Sequence, residues 1–493
     1  PQGVWAATKL VLQQMGGARA LKALHAVNQP DGFDCPSCAW PDPAKRHHAE
    51  FCENGAKAVA WEATRDTVGA EFFAQHPISN LQQQSGHWLE SQGRLSQPVY
   101  RAAHDTHYRP IEWSAAFDIV AQRIAALDDP NEAVFYTSGR ASNEAAFLYQ
   151  LMARSLGTNN LPDCSNMCHE SSGVALTQTI GVGKGTVSLE DIRDHADLIV
   201  IMGQNPGTNH PRMLTSLEAL KKRGGRIVAI NPLPEAGLMR FKNPQRPSGV
   251  VGGGTALSDV YLPVRVNGDL ALLLEVNRRL VQRGAVDHSF IEAFTDGFQA
   301  AAQHWSSVDP VAVSGLTGLT SEQIEQFVDE VAGADCVIVC WAMGLTQHRN
   351  SVATIREVVN LLLLGGNIGR PGAGACPVRG HSNVQGDRTM GIYEKPTEAF
   401  LTRLDEAMGI TSSRAPGLDV VDTITAMQRG RVGVFMTLGG NFASATPDTE
   451  ATEIALGQVG LTVHVSTKLN RSHAVPGVES LILPSLGRSD TDV

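Results

Sequence analysis

No uninterrupted apolar stretch in this 493-residue chain approaches the ~18–20 residues of a membrane span. The nearest, residues 358–364, is broken by Asn360 and closed by Gly365 and Gly366. Lys and Arg form no dense run and the formal net charge is −10, which argues against a nucleic-acid or anionic-membrane surface while leaving room for a local basic funnel toward an anionic substrate. Charged residues are scarce, 18% against a usual ~25%, and Gly is abundant, 48 of 493 against a usual ~7%. That balance excludes disorder and implies many tight turns and much buried surface. No G-x-G-x-x-G opens a helix after a strand-like run, which disfavours a nicotinamide dehydrogenase. Eight cysteines are too few for a disulfide framework in a chain of this length. Residues 3–27 are amphipathic, without a signal-peptide core or a twin-arginine pair, so a cytoplasmic location is expected. The chain starts at Pro1 and stops inside a polar run, and sequence is expected to be missing at either end.

The length exceeds one ordinary core, so at least two domains are expected. Short β-branched runs ending at Gly turns predict strands at residues 133–137, 198–203, 336–344 and 432–439, each followed by a helix-like stretch. Residues 198–230 read as one βαβ unit, with a helix at 213–223, a Gly224-Gly225 stop and a strand at 226–230. A second unit repeats the plan, with a helix near 449–456 and a strand at 462–465. The pattern predicts parallel sheets covered by helices on both faces.

The two units share G-x-N-x5-P directly after the first strand: Gly203, Asn205 and Pro211 in one, Gly439, Asn441 and Pro447 in the other. Gly allows close backbone approach and Asn offers a donor and an acceptor, which suits a nucleotide at a strand's carboxyl end near a helix N-terminus. A common strand-to-helix turn is the plainer reading, and the repeat weighs against it.

Cys35-Pro-Ser-Cys38 places two thiols on one tight loop, and Cys52 offers a third. The fourth ligand is open among Asp42, His47 and His48, and an iron–sulfur cluster and a zinc site of three thiolates and one imidazole fit equally well. At Cys168-His169-Glu170 a thiol and an imidazole are adjacent at the start of a helix-like stretch, whose N-terminus would lower the thiol pKa.

Further along stand Trp341-Ala-Met-Gly-Leu-Thr-Gln-His348, Ile355-Arg356, Leu361-Leu-Leu-Leu-Gly-Gly-Asn-Ile-Gly-Arg-Pro-Gly372 and Arg379-Gly-His-Ser-Asn-Val-Gln-Gly386. Together with Cys168-His169 they resemble the formate-dehydrogenase-like alpha subunits of the molybdopterin oxidoreductase family, from about Gly32 to the last residue. The resemblance implies a molybdenum (or tungsten) ion held by two molybdopterin guanine dinucleotides, one 4Fe-4S cluster, and a small-molecule substrate such as formate. It also implies a possible redox partner subunit.

The family's metal-ligating Cys matches Cys168, its proton-transferring His matches His169, and its carboxylate-orienting Arg is placed at Arg356. These roles suit a soft thiolate, an imidazole that titrates near neutrality, and a guanidinium that grips a carboxylate by two hydrogen bonds. Cofactor contacts are expected at Gly203, Asn205, Pro206, His210, Asn231, Val264, Gly268, Asp269, Met343, Gly344, Gln347, His348, Asn383, Gly440, Asn441 and Lys468, and cluster ligands at Cys35, Cys38 and Cys52.

The implied fold is α/β and multidomain. It has an N-terminal iron–sulfur region at 28–109, a doubly wound, Rossmann-like domain at 164–334, and a second one assembled from 110–163 and 335–493. The resemblance also implies a C-terminal barrel domain, which this chain is expected to lack. Three departures stand out: Asp42 replaces a cluster cysteine, Asn54 replaces a Lys or Arg with Lys57 the nearest base, and Glu170-Ser171-Ser172 adds a carboxylate near the catalytic pair. Alternatives are the same cofactor acting on another two-electron substrate, or a degenerate, cofactor-free scaffold subunit.

Overall fold

Strands form at Ala133–Thr137, Leu198–Met202, Val337–Trp341 and Val434–Leu438, within the four apolar runs whose pattern predicts them. The computed structural model describes residues 2–245, 249 and 252–491. Its two main sheets are built from β1 (Val99–Arg101), β2 (Arg109–Pro110), β3 (Ala133–Thr137), β4 (Leu198–Met202), β5 (Arg226–Ile230), β6 (Val260–Leu262), β7 (Val337–Trp341), β8 (Gly374–Pro377), β9 (Val434–Leu438), β10 (Leu461–Ser466) and β11 (Glu479–Pro484). Thr67–Val68 and Arg94–Leu95 add a small parallel pair.

The first sheet is parallel throughout, in the order β8-β7-β4-β5-β6. Strands β4 and β7 are buried at every position, as expected where helices cover both faces. Alternate residues serve opposite layers. Leu198, Val200 and Met202 pack with Leu272, Val276, Phe327 and Val358 on one face, and Ile199 and Ile201 meet Met213, Leu217 and Leu220 of the helix Pro211–Lys222 on the other. The chain runs from β4 through β5 to β6 and then returns to the far side of β4, where β7 pairs from Leu198↔Val337 to Met202↔Trp341. Such a reversal is where an open α/β sheet offers a ligand crevice, beyond the carboxyl ends of the two strands.

The second sheet runs β2-β1-β11-β10-β9-β3, with β3, β9, β10 and β11 parallel and β1 and β2 added antiparallel at one edge. Phe135, Leu461, Val463 and Leu481 pack with Ala146, Tyr149 and Ala153 of the helix Asn143–Ser155. Val134, Tyr136 and Phe435 pack with Val420, Met427 and Leu456. Helices thus cover both sheets on both faces, but the strand reversal lies in the first sheet, while the parallel strands of the second advance in chain order.

The chain divides into two compact units. One holds the first residues up to Val4, Cys38–His47 and Cys168–Gly380, and the other holds Trp5–Ser37, His48–Met167 and His381–Val493; residues 492 and 493, the end of the expected second segment, lie outside the described residues. This moves the expected boundary at 334 to Gly380. The reason is pairing: β7 and β8 hydrogen-bond into the sheet of β4, so residues 335–380 belong with 164–334. Residues 28–109 do not stand apart either, since Val68, Phe73 and Val99 pack with Leu469, Ala474 and Ile482. The helices Gln2–Met15 and Gly17–Ala26 pack through Val11, Met15 and Ala20 against Ala56, Ala60 and Ala63. Among the described residues no helix is long and apolar enough to cross a membrane.

Candidate active site

Cys168 ends the short helix Ser165–Cys168, and His169 is the N-cap of Glu170–Ile180. His169 is 1% exposed and both its nitrogens are engaged: Nδ1 lies 3.0 Å from Ser172 Oγ and Nε2 lies 3.1 Å from the Val378 carbonyl. Trp341 Nε1 donates to Ser172 Oγ at 2.9 Å. A carbonyl only accepts, so Nε2 carries the proton, and the Ser172 hydroxyl donates to Nδ1 while accepting from Trp341. Burial first, and the Arg379 guanidinium second, hold the imidazole far below its usual range, at about 3. The backbone of Cys168 is fixed as well, since Thr346 Oγ1 donates to its carbonyl at 2.6 Å and Ser171 Oγ donates to the Thr346 carbonyl at 3.2 Å.

Arg379 is the cation that the fold brings to His169. It follows β8 by two residues, is 8% exposed, and donates to the Gly183 carbonyl at 3.3 Å. His210 Nε2 donates to the Arg379 carbonyl at 2.8 Å. Arg356, the residue expected to orient a carboxylate, is exposed on Ser351–Leu364 and is not among the charges that act on His169. The helix buries Ile355, Val358, Val359 and Leu362, which turns the position between Ile355 and Glu357 outward. Arg379 opens the Arg-Gly-His turn that follows the strand Gly374–Pro377 and Val378, and no local pattern distinguishes it from Arg356.

Of the expected cofactor residues of this unit, Gly203, Asn205, Asn231, Met343, Gly344, Gln347 and His348 lie just beyond the ends of β4, β5 and β7. Gly344 N donates to Gly203 O at 3.0 Å. Gly203 holds φ +55°, and a Cβ on Gly344 would lie 2.5 Å from Gly203 Cα, so only glycines allow this approach. Asn205 Oδ1 caps Thr208 N at 3.3 Å, ahead of Pro206, and Asn205 Nδ2 donates to Glu235. Asn231 Nδ2 donates to the Gln204 carbonyl at 3.1 Å. His348 Nε2 donates to the Gly344 carbonyl at 2.8 Å, and Met343 is 43% exposed on the same short turn as Gln347. Val264 is buried, and Gly268 opens the helix Asp269–Arg283, where burial pushes the Asp269 carboxyl up to about 6. His210 Nδ1 and Gln204 Oε1 are buried without a hydrogen-bond partner among the described residues. Orphaned polar atoms beside bare glycine backbone fit a large polar group at this place.

In the other unit, Gly439 and Gly440 follow β9 with φ of 68° and 83°, and Asn441 is the N-cap of Phe442–Ala445. Asn470 Nδ2 donates to the Gly440 carbonyl at 2.8 Å, and Ala443 N donates to Ser472 Oγ at 3.0 Å. The repeated Gly and Asn positions of the two units therefore share a local form, a left-handed glycine and then an Asn at a helix start. Lys468 Nζ donates to the Trp61 carbonyl at 2.9 Å and lies 4.5 Å over the Trp61 ring, and burial lowers it to about 8. Asn383 Nδ2 donates to the Ala141 carbonyl at 2.8 Å and to Asn143 Oδ1 at 3.0 Å.

A family model for molybdopterin oxidoreductases matches residues 94–474. The chain belongs to the molybdopterin oxidoreductase family. It is 57% identical over 488 residues to an uncharacterized oxidoreductase of Mycobacterium tuberculosis, covering 98% of this chain and 62% of that protein. It is 26% identical over 458 residues to the putative formate dehydrogenase YrhE of Bacillus subtilis, covering 90% of this chain and 45% of that one. Acetylene hydratase from Pelobacter acetylenicus has the same fold, with a TM-score of 0.61 and 16% identity over 81% of this chain and 55% of that one. The chain thus spans less than two thirds of the length of its mycobacterial relative.

For a member of this family the cysteine loop is irregular. Cys35 and Cys52 both face Gly55, where a Cβ would lie 2.9 Å from Cys35 Sγ and 3.9 Å from Cys52 Sγ, and Cys52 Sγ accepts from Gly55 N at 3.4 Å. Cys38 lies in the other unit, where burial raises its thiol. Asp42 pairs with Arg212 at 2.7 Å and Arg46 at 3.8 Å, and the His48 ring stacks on His25. Among the described residues no group of three or more His, Cys, Asp or Glu side chains is arranged to hold a metal ion.

Proposed function

We propose that this chain is the pterin-binding part of a molybdenum- or tungsten-dependent oxidoreductase that oxidises formate or a similarly small carboxylate. One guanine-dinucleotide pterin would sit on each Gly-x-Asn turn: Gly203, Asn205, Asn231, Asp269 and Gly344 would hold one, and Gly440, Asn441, Asn383 and Lys468 the other. Cys168 would supply the protein ligand to the metal. When bound, this group takes up the two electrons that the substrate releases.

The observation that carries the reading is Arg379, a mostly buried guanidinium acting on the neutral imidazole beside Cys168. A carboxylate gripped by Arg379 would gain two charge-assisted hydrogen bonds and be turned toward Cys168. Its negative charge would offset the Arg379 field, one of the causes that depress His169, and so raise the imidazole's basicity as substrate binds. His169 would then take a proton at Nδ1, with the Ser172 hydroxyl turning from donor to acceptor. YrhE, the relative whose name contains formate dehydrogenase, supports the substrate class at 26% identity.

The full-length protein, loaded with metal and pterin, is the test. Arg379→Lys is expected to raise KM for formate by roughly 10- to 100-fold, the equivalent of about 1.5–3 kcal/mol for a charged hydrogen-bond pair, while Arg356→Gln leaves it unchanged and Cys168→Ser abolishes turnover. Loaded enzyme that ignores formate, or an Arg379→Lys variant that matches the wild type, would refute the assignment.

A further inference from the structure

Cys340 and Cys376 lie outside the proposed chemistry and opposite one another. Strands β8 and β7 pair in parallel with Ala375 opposite Val339, Cys376 opposite Cys340 and Pro377 opposite Trp341. In-register neighbours present their side chains on one face, and both cysteines belong to the apolar layer that contains Ile199, Ile201 and Ile338. Adjacent strands are spaced about 4.8 Å apart, inside the range of about 4.4–6.8 Å between α-carbons that a disulfide spans. A hydrogen bond to Cys376, and then burial, push the Cys340 thiol well up. Cys340 is fully buried, Cys376 is half-buried, and β8 is an edge strand with one neighbour. The remaining cysteine of this region, Cys336, is turned to the Pro371 carbonyl at 3.6 Å.

We propose that Cys340 and Cys376 form a reversible dithiol–disulfide site, oxidised by hydrogen peroxide and reduced by dithiols. The more accessible Cys376 sulfur attacks one peroxide oxygen, giving a sulfenic acid and one water. The Cys340 sulfur then displaces the hydroxyl, which leaves with the Cys340 proton as a second water. Overall two thiols and one peroxide become one disulfide and two waters. The bond draws the sulfurs to about 2.05 Å, and the edge strand is the part able to follow.

The strand ends next to the pair hold His169. Trp341 follows Cys340 directly and donates to Ser172, and Val378 follows Cys376 by two residues and accepts from His169. Val378 N also donates to the Trp341 carbonyl at 2.8 Å. Closing the disulfide therefore shifts the hydrogen bonds that set the imidazole. The site itself stands on strand register and does not depend on the reaction proposed for Cys168.

Full-length holoenzyme freed of reductant is treated with hydrogen peroxide, alkylated and digested with trypsin. Peptide 284–349 is expected to be linked to peptide 357–379, with fragmentation placing the bond on Cys340 rather than Cys336. Dithiothreitol is expected to release both peptides. Cys340→Ala and Cys376→Ala should each abolish the link, and hydrogen exchange in residues 337–341 and 374–378 should change on oxidation of the wild type only. Wild-type protein suffices if a variant fails to fold, because the linked peptide is its own readout. Full alkylation of both cysteines after peroxide, Cys376 carried to sulfinic acid without a link, or a link from Cys376 to Cys38 or Cys336 would each overturn the proposal.

Discussion

Gly344→Ala probes the strand-reversal crevice most directly. An alanine Cβ would lie 2.5 Å from Gly203 Cα and 2.6 Å from Gly203 O, against about 3.5–4.0 Å for ordinary carbon contacts. Both obstacles are backbone, so no side chain can swing aside, and the ends of β4 and β7 must part by roughly 1 Å. That separation breaks the bond from Gly344 N to Gly203 O, worth about 1 kcal/mol, and adds an overpacking strain of about 1–3 kcal/mol. At about 2–4 °C per kcal/mol for a unit of this size, the melting temperature should fall by roughly 5–15 °C. Gly315→Ala is the control, because its added Cβ meets nothing within 4 Å inside the helix Pro310–Thr317, and it should stabilise by up to about 1 kcal/mol. Calorimetric scans of the three proteins decide the matter. A Gly344→Ala variant melting within about 1 °C of the wild type would show that the two turns are not in mutual contact and would remove the basis for the crevice.

Burial and the neighbouring Asp163 push the Asp387 carboxyl up to about 8. Because the folded state keeps a proton that the unfolded chain has released, this group's contribution to stability declines as pH rises from about 4 to 8. Asp387→Asn should therefore gain roughly 1–3 kcal/mol over the wild type at pH 8 and nothing at pH 4, measured by urea unfolding; equal differences at both pH values would contradict the shift. His169 at about 3, and His381 and His473 at about 4, are depressed mainly by burial. Their contribution is complete above about pH 6.5 and is lost as pH falls toward 4, at up to about 1.4 kcal/mol per pH unit for each histidine. His473→Gln should flatten the slope of stability between pH 6 and 4, and an unchanged slope would mean that this imidazole does not titrate on unfolding.

The amino-acid order by itself determined the elements and the turns. Leu-Ile-Val-Ile-Met ending at Gly203 is a buried strand wherever it is placed, because only a β-branched run without polar residues suits a sheet covered on both faces. The repeated Gly-x-Asn after strands 198–202 and 434–438 was legible for the same reason, since a left-handed glycine and an Asn at a helix start are local features. Membership of a sheet is not local. Residues 335–380 follow the same strand–helix pattern as their neighbours on either side, and only the hydrogen bonding of β7 to β4 and β8 to β7 decided which sheet they join. The role proposed for Arg379 is of this kind as well: Arg356 and Arg379 both follow β-branched residues, but Arg356 is exposed on a helix while Arg379 is mostly buried and acts on His169. Burial, which sets the pKa of His169, Asp387 and His473, and strand register, which sets Cys376 opposite Cys340, are sums over contacts distant in sequence, so tertiary structure alone supplies them.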